Sequence, residues 1–383
     1  MSEYVRLDEA CVLNMGQSPD SSSYNENCEG LPFFQGNADF GDMYPEVRIW
    51  CSAPTKIVEE NTLLISLRAP IGALNFSNTK SCIGRGLAGL TPTEEFDLKY
   101  IYYCLKGKHA ELNAKGTGST FKAISKNALG ETLVRKIDKK KQLEIVEILD
   151  KTYGVICNRK QELEQLDLLI KARFVEMFGD LADPTCKYDK CKLVDACVAS
   201  DDIKCGPFGT QLSKDEYQTE GVAVWEIPQI NSGFSQIPTH YVSVEKAEQL
   251  LAYSLLPGDI AMSRKGNVGR CGLFPSSFEP GIIHSDVLRI RVDSERVDPC
   301  FMMCQLHFSG DVQHQIEMVS SGAVMAGINV TKLKQIYVYL PPTDKQRQFA
   351  DFVAQVDKSK VAVQKALDET QILFDSLMQK YFG

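Results

Sequence analysis

The chain has no excess of positive charge. Its 383 residues carry 42 Lys and Arg against 50 Asp and Glu, a formal net charge of −8. That excludes a wholesale basic coat for nucleic acid, so any contact with a phosphate backbone must come from local patches. Long apolar runs are missing as well. No stretch reaches the roughly 18 residues of a membrane span, and Met1-Ser2-Glu3-Tyr4-Val5-Arg6-Leu7-Asp8-Glu9 has no apolar core of a secretory signal. The 13 Cys are odd in number and irregular in spacing. Reduced thiols in a cytoplasm are therefore expected, without a disulfide framework or membrane partner. With 44% hydrophobic and 24% charged residues, the composition is that of a folded globular chain. Its length suggests two or three domains.

Catalytic signatures are also missing. Gly84-Arg85-Gly86-Leu87-Ala88-Gly89 spells a dinucleotide fingerprint, but Leu90-Thr91-Pro92 follows where a helix is needed. Gly116-Thr117-Gly118-Ser119-Thr120-Phe121-Lys122 lacks the second Gly-Lys-Ser/Thr of a P-loop. The Pro-Pro-aromatic motif of an amino-methyltransferase is absent; Leu340-Pro341-Pro342-Thr343 comes nearest. Cys186, Cys191, Cys197 and Cys205 are separated by four, five and seven residues, wider than most zinc spacings. Cys300, Cys304 and His307 would share a helix face, which packing alone explains. The five His show no arranged partner for nucleophilic or acid–base work. No metal or cofactor is expected in this chain.

What is present is a repeat. With Gln142 placed over Gln346, an offset of 204, Gly118 meets Gly322, Ile124 meets Ile328, Leu129 meets Leu333 and Leu169 meets Leu373. The register holds without a gap for 62 residues, ending with Phe178-Gly179 over Phe382-Gly383. Weaker echoes lie upstream at drifting offsets: Gly16 with Gly209, Ser66 with Ser263, Ile71-Gly72 with Val268-Gly269. Each half is a variable globular region followed by a better-matched tail.

The tails predict long helices. Residues 139–178 contain no Pro and only Gly154. Val146, Leu149, Tyr153, Ile156, Lys160, Leu163, Asp167, Ile170, Phe174 and Met177 step alternately by three and four, the spacing of a coiled-coil seam. In the second tail Phe349, Phe352, Val356, Ser359, Val363, Ala366, Thr370, Leu373 and Leu377 follow the same steps, with Val353, Leu367 and Phe374 alongside. A 40-residue helix is about 60 Å long, more than a small domain's diameter. Gly179 and Pro184 stop the first helix, residues 179–190 form a linker, and Thr343 is placed to cap the second. The globular regions are mixed. Residues 62–67 and 287–292 read as strands and residues 98–106 and 299–307 as short helices, without regular βαβ alternation.

Local basic chemistry remains. Between Lys106 and Lys136 seven Lys and Arg face Glu111 and Glu131, and small residues between Lys115 and Lys122 would let backbone N–H groups approach phosphates. Ser320-Ser321-Gly322-Ala323 occupies the same place in the second half. Arg68, Arg85, Arg264, Lys265 and Asn267 stand on turns, and Arg and Asn on rigid turns are natural readers of guanine and adenine edges.

The order of these motifs, twice over, resembles the DNA-specificity subunit of type I restriction-modification systems. Met15-Gly16-Gln17-Ser18-Pro19, Pro32-Phe33-Phe34-Gln35-Gly36, residues 65–72 and Cys82-Ile83-Gly84-Arg85-Gly86 resemble one target-recognition domain, and Gly206-Pro207-Phe208-Gly209-Thr210-Gln211-Leu212 the start of another. Lys141-Gln142 and Lys345-Gln346-Arg347-Gln348 resemble the entrance to that family's shared helices, although the Arg after Gln346 has no counterpart after Gln142. The resemblance implies an α+β fold: recognition domains at 1–137 and 180–342, each followed by a long helix at 138–179 and 343–383, the helices packed as an antiparallel coiled coil. Each domain would read one half of a bipartite double-stranded DNA site. The helices would fix the spacer and recruit two methyltransferase subunits that use S-adenosylmethionine. Restriction and translocase subunits using ATP and Mg could join. The DNA-binding residues implied are Ser18, Arg68, Arg85, Lys115, Ser119, Thr120, Lys122, Arg264, Lys265, Asn267 and Ser321. Those of the helix pair or subunit docking are Gln142, Leu149, Ile156, Leu163, Ile170, Gln346, Phe349, Val356, Val363 and Leu373. The chain would contribute no catalysis. A coiled-coil scaffold of another defence complex is the alternative.

Overall fold

The computed structural model describes residues 3–118, 122–181, 186–320 and 327–383. They form two compact units, one of Met1–Lys160 with Lys365–Gly383 and one of Gln161–Gln364.

In the first unit a four-stranded antiparallel sheet has the order Cys11–Met15, Leu87–Pro92, Leu63–Ser66, Leu74–Phe76. All four residues of Leu63–Ser66 are buried, so this strand reads as a short continuous apolar run rather than an alternation. A five-stranded sheet lies beside it in the chain, with Leu31–Phe34 and Ser81–Ile83 paired in parallel. Glu3–Arg6 pairs antiparallel with Leu133–Lys136, which runs straight into the first long helix.

The second unit repeats this plan. Its four-stranded sheet has the order Ile203–Cys205, Val287–Ile290, Ile260–Ser263, Cys271–Leu273. Its other four-stranded sheet contains the equivalent parallel pair, Val222–Trp225 with Gly281–Ile283. Asp189–Lys192 pairs with Tyr337–Leu340 ahead of the second long helix, so the expected linker ends a residue or two early. The mixed α/β character expected of both halves is what the structure has.

Both long helices form where the sequence predicts, Lys139–Phe178 and Thr343–Phe382, but Thr343 is the first helical residue and not the cap, since the Gln346 N–H bonds the Pro342 carbonyl. Neither contains Pro, and the first closes on Gly179, at φ 72°, whose N–H bonds the Val175 carbonyl. Inside the second unit the helices meet antiparallel. Phe174 and Phe178 each lie 5.6 Å from Phe349 between ring centroids, Arg173 stacks over Phe352, and Asp167 pairs with Lys360 at 2.7 Å. Inside the first unit Tyr153 faces Phe374 at 5.9 Å, and Tyr100 of the Leu98–Gly107 helix faces Phe382 at 5.5 Å.

The apolar stripes differ in part from the expected seams. Val146, Leu149, Ile156, Ile170 and Phe174 are buried, and Leu163 is half-buried, while Lys160 and Asp167 are exposed. On the second helix the buried line runs through Phe349, Val353, Val356, Val363, Leu367 and Phe374. Leu373 is 53% exposed and Ser359 is also exposed, which corrects their place in the seam. A straight helix drifts about 20° per heptad against a strict 3.5-residue repeat. The line through Ala366 and Leu373 therefore loses to the one a residue later, through Leu367 and Phe374.

Gln142 and Gln346 are almost wholly buried. The Asp97 N–H donates to the Gln142 side-chain oxygen at 2.8 Å, and Gln142 Nε2 donates to the Glu95 and Ile137 carbonyls, both at 2.9 Å. Asp97 in turn caps the Leu98–Gly107 helix by accepting from the Tyr100 N–H at 3.0 Å. The second unit repeats the joint: Asp298 N–H to Gln346 at 2.9 Å, Gln346 Nε2 to the Pro341 carbonyl at 2.7 Å, and Asp298 capping Pro299–Phe308 through the Phe301 N–H. The two glutamines thus fasten each long helix to its own globular part; their side chains face inward, not toward a docking partner.

Replacing Gln346 with Leu strands the Asp298 N–H and the Pro341 carbonyl, each at about 1–3 kcal/mol. Phe374→Ala should cost about 3–5 kcal/mol, whereas Leu373→Ser should fall within about 0.5 kcal/mol of the parent. Denaturant melts of the three variants check the joint and the position of the stripe together.

Candidate functional site: two equivalent sets of turns

In the first unit a series of turns is linked by backbone hydrogen bonds at one end of the strands of the four-stranded sheet. Gly16 N–H bonds the Leu87 carbonyl, Gly84 N–H the Phe34 carbonyl, Leu67 N–H the Gly86 carbonyl, and Ile124 N–H the Leu67 carbonyl, all at 2.8–2.9 Å. Arg68 forms an isolated bridge with Ala123. A Cβ at Gly86 would stand 2.3 Å from the Gln35 carbonyl oxygen, so the close approach of these turns requires glycine there. Of the Gly-rich run that spells a nucleotide fingerprint, Gly84-Arg85-Gly86 form this turn after the strand Ser81–Ile83, and Leu87-Ala88-Gly89 already belong to the strand Leu87–Pro92.

The second unit has the same bonds. Gly206 N–H goes to the Val287 carbonyl, His284 N–H to Trp225, Arg264 N–H to Asp286 and Ile328 N–H to Arg264, at 2.8–3.1 Å. Lys265 bridges Gly327 as Arg68 bridges Ala123. The bonds set the true correspondence between halves: Gly16 with Gly206, Ser66 with Ser263, Leu67 with Arg264, Arg68 with Lys265, Gly84 with His284. Gly16 does not match Gly209, while Arg264 occupies the position of buried Leu67, as the echo of Ser66 in Ser263 implies.

These turns gather several of the expected DNA-binding residues. Ser18 Oγ accepts the Arg85 N–H at 3.3 Å. The Arg85, Arg68 and Lys122 side chains are exposed and make no side-chain hydrogen bond or ion pair among the described residues. Asn267 is likewise exposed. Ser119, Thr120 and Ser321 lie outside the described residues.

Other expected contacts are engaged internally. Arg264 donates to the Ile328 and Ser285 carbonyls at 3.3 and 3.4 Å and lies 5.3 Å over the Phe208 ring. Lys265 pairs with Asp286 at 2.8 Å. Lys115 pairs with Glu111 at 2.8 Å, and Lys108 with the same carboxylate at 3.1 Å. Burial pushes the Glu111 carboxyl up, but these two ammonium groups outweigh it and hold it below the usual carboxylate range. Lys136 pairs with Glu95 at 3.0 Å. Lys106 sits among the Tyr102, Tyr153 and Phe374 rings, and burial pushes its pKa down. Three of the seven basic side chains of the stretch, Lys108, Lys115 and Lys136, are thus ion-paired, and Lys122 and Lys126 remain exposed.

One cluster escapes the sequence reading. His240 Nδ1 donates to Glu226 Oε2 at 2.7 Å, and His240 stacks on Tyr217 at 4.8 Å with a 26° interplanar angle. Burial, then Glu226 and Asp286, push the Tyr217 hydroxyl pKa up. Close by in the chain, the Asp286 N–H donates to His284 Nδ1 at 3.2 Å. Glu226 follows Trp225, whose carbonyl anchors His284, so the cluster belongs to the second set of turns. The first half has no matching His, and no repeated motif signals it.

A family model described as the type I restriction modification DNA specificity domain matches residues 2–168 and again residues 204–370. A protein named for the type I restriction enzyme MjaX specificity subunit of Methanocaldococcus jannaschii is 39% identical over 154 residues, 40% of this chain. The match spans 36% of that relative, little more than a third of its length. The type I restriction enzyme EcoBI specificity subunit of Escherichia coli is 21% identical over 99% of this chain and 85% of its own. Among solved structures, the type I restriction-modification system S subunit from M. genitalium matches with a TM-score of 0.61 at 16% identity, covering 100% of this chain and 96% of that one. This last likeness is one of fold.

Arg264→Ala removes two charge-assisted carbonyl contacts and the stacking on Phe208, and should lower stability by about 1–3 kcal/mol. Arg85→Ala should change it by less than about 0.5 kcal/mol. Paired melts would separate the latch from the exposed side chain; equal losses would show that the latch is not structural.

Proposed function

Because the chain belongs to the type I restriction-modification DNA specificity family, we propose that it selects the DNA site for a multisubunit complex and does no chemistry of its own. Each unit reads one half of a bipartite double-stranded site. The long helices set the number of unread base pairs between the halves and recruit two adenine methyltransferase subunits that use S-adenosylmethionine. A restriction and translocase subunit using ATP and Mg can join. The complex works in the cytoplasm.

The observation that carries this reading is the pair of turn sets. Their backbone bonds are the same, yet the side chains they present differ: Arg85 against Ser285, Arg68 against Lys265, Gln35 against Glu226. One frame holding two different sets of side chains is what two readers of unlike half-sites need. Phosphate contacts position a protein and base contacts specify, so exposed Arg85 and Arg68 are assigned to base edges and Lys122 to the backbone. With a net charge of −8, the chain alone binds DNA weakly and relies on its partners for phosphate contacts.

The test is methylome sequencing of a host that expresses this chain with a methyltransferase partner. A split, asymmetric motif with N6-methyladenine in each half is expected; a stable complex that leaves no motif would overturn the reading. Arg85→Ala should alter one half of the motif only. Inserting four residues near Lys160 adds one helical turn, about 6 Å, and should lengthen the spacer by about two base pairs at roughly 3.4 Å per step.

A further inference from the structure

Gln35 and Glu226 occupy one position in the two turn sets. Each follows the residue whose carbonyl receives the bond from the glycine or histidine turn, Phe34 from Gly84 and Trp225 from His284. Each has its main chain pinned by a neighbouring side chain. The Gln35 N–H donates to Asp39 Oδ2 at 2.8 Å, and the Glu226 N–H to Gln229 Oε1 at 3.2 Å.

The Glu226 carboxylate is fixed through one oxygen. Oε2 accepts from His240 at 2.7 Å and from Thr239 Oγ1 at 3.4 Å, while Oε1 has no partner among the described residues. This pair is not needed to hold the sheet, since Val222↔Val242 and Val224↔His240 already pair through the backbone. On the proposed reading these turns face DNA, where a carboxylate repels phosphates and gains only where it meets a hydrogen-bond donor. Among the described residues no group of three or more potential ligands is arranged for a metal ion. The donors DNA offers in the major groove are the N4 amino group of cytosine and the N6 amino group of adenine. Adenine carries the N7 acceptor beside N6, which opposes a carboxylate and suits an amide; cytosine carries no such acceptor.

We infer that the residue at this shared position reads one base in each half-site, Glu226 a cytosine and Gln35 an adenine. The inference rests on the proposed reading of the chain as a DNA-specificity subunit. Glu226 presents Oε1 to the cytosine amino group while His240, stacked on Tyr217, keeps the carboxylate in place. Gln35 can accept from adenine N6 and donate to N7 together.

The experiment is methylome sequencing of a host carrying the full chain and its methyltransferase, for the parent, Glu226→Gln and Gln35→Glu. Glu226→Gln should change one position of one half-site from cytosine to adenine, with methylation of the original site falling about tenfold or more. Gln35→Glu should make the opposite change in the other half-site. Motifs unchanged in both variants, or changes spread over both halves, would overturn the assignment. Gln35 is exposed, so its variant carries the test should Glu226→Gln fail to fold. If the parent itself yields no bipartite motif, the proposed function fails and takes this inference with it.

Discussion

A helix of 40 residues with one narrow apolar stripe has no fixed direction relative to the sheet it leaves unless something polar and directional holds its first turn. Gln142 and Gln346 do this. Each buried amide meets a main-chain N–H and one or two carbonyls, and the N–H belongs to the aspartate that caps the next short helix. Apolar contacts slide; a buried amide that loses its partners incurs the full desolvation cost of every group involved. The direction in which each long helix leaves its own globular part is held by its glutamine side chain together with the aromatic packing around it.

A second division of labour lies in the turns. The same set of main-chain bonds links neighbouring turns in the two units, while the side chains that emerge differ. Backbone bonds are indifferent to side-chain identity, provided close approaches keep a glycine such as Gly86 or the chain is steered around a residue such as His284. The side chains are then free to change without disturbing the frame. That arrangement explains why the globular halves match poorly in sequence and closely in fold.

Much of this was legible beforehand. The repeat, both long helices, the short helices and the strands at Leu63–Ser66 and Val287–Ile290 all follow from spacing, from Pro and Gly placement and from the 204-residue register. The seam at Leu373 was not, because two apolar residues stand side by side at 373 and 374 and packing decides between them. The echo of Ser66 in Ser263 already sets Arg264 opposite Leu67; that its guanidinium is held by the Ile328 and Ser285 carbonyls was not legible, because those partners lie 64 and 21 residues away. The Glu226–His240 pair was invisible for another reason. Its members are 14 residues apart on different elements, and pairing across a sheet leaves no period in the sequence.

The division of the chain into compact units does not follow the order of synthesis. Lys365–Gly383 completes the first unit, filling the ground beside Tyr100, Tyr103 and Tyr153 with Phe374 and Phe382. A ribosome therefore finishes the second unit before it supplies the last part of the first. Until then the aromatic face of the Leu98–Gly107 helix is uncovered, so any loss of Lys365–Gly383, by stalling or by a protease, wounds the unit begun first.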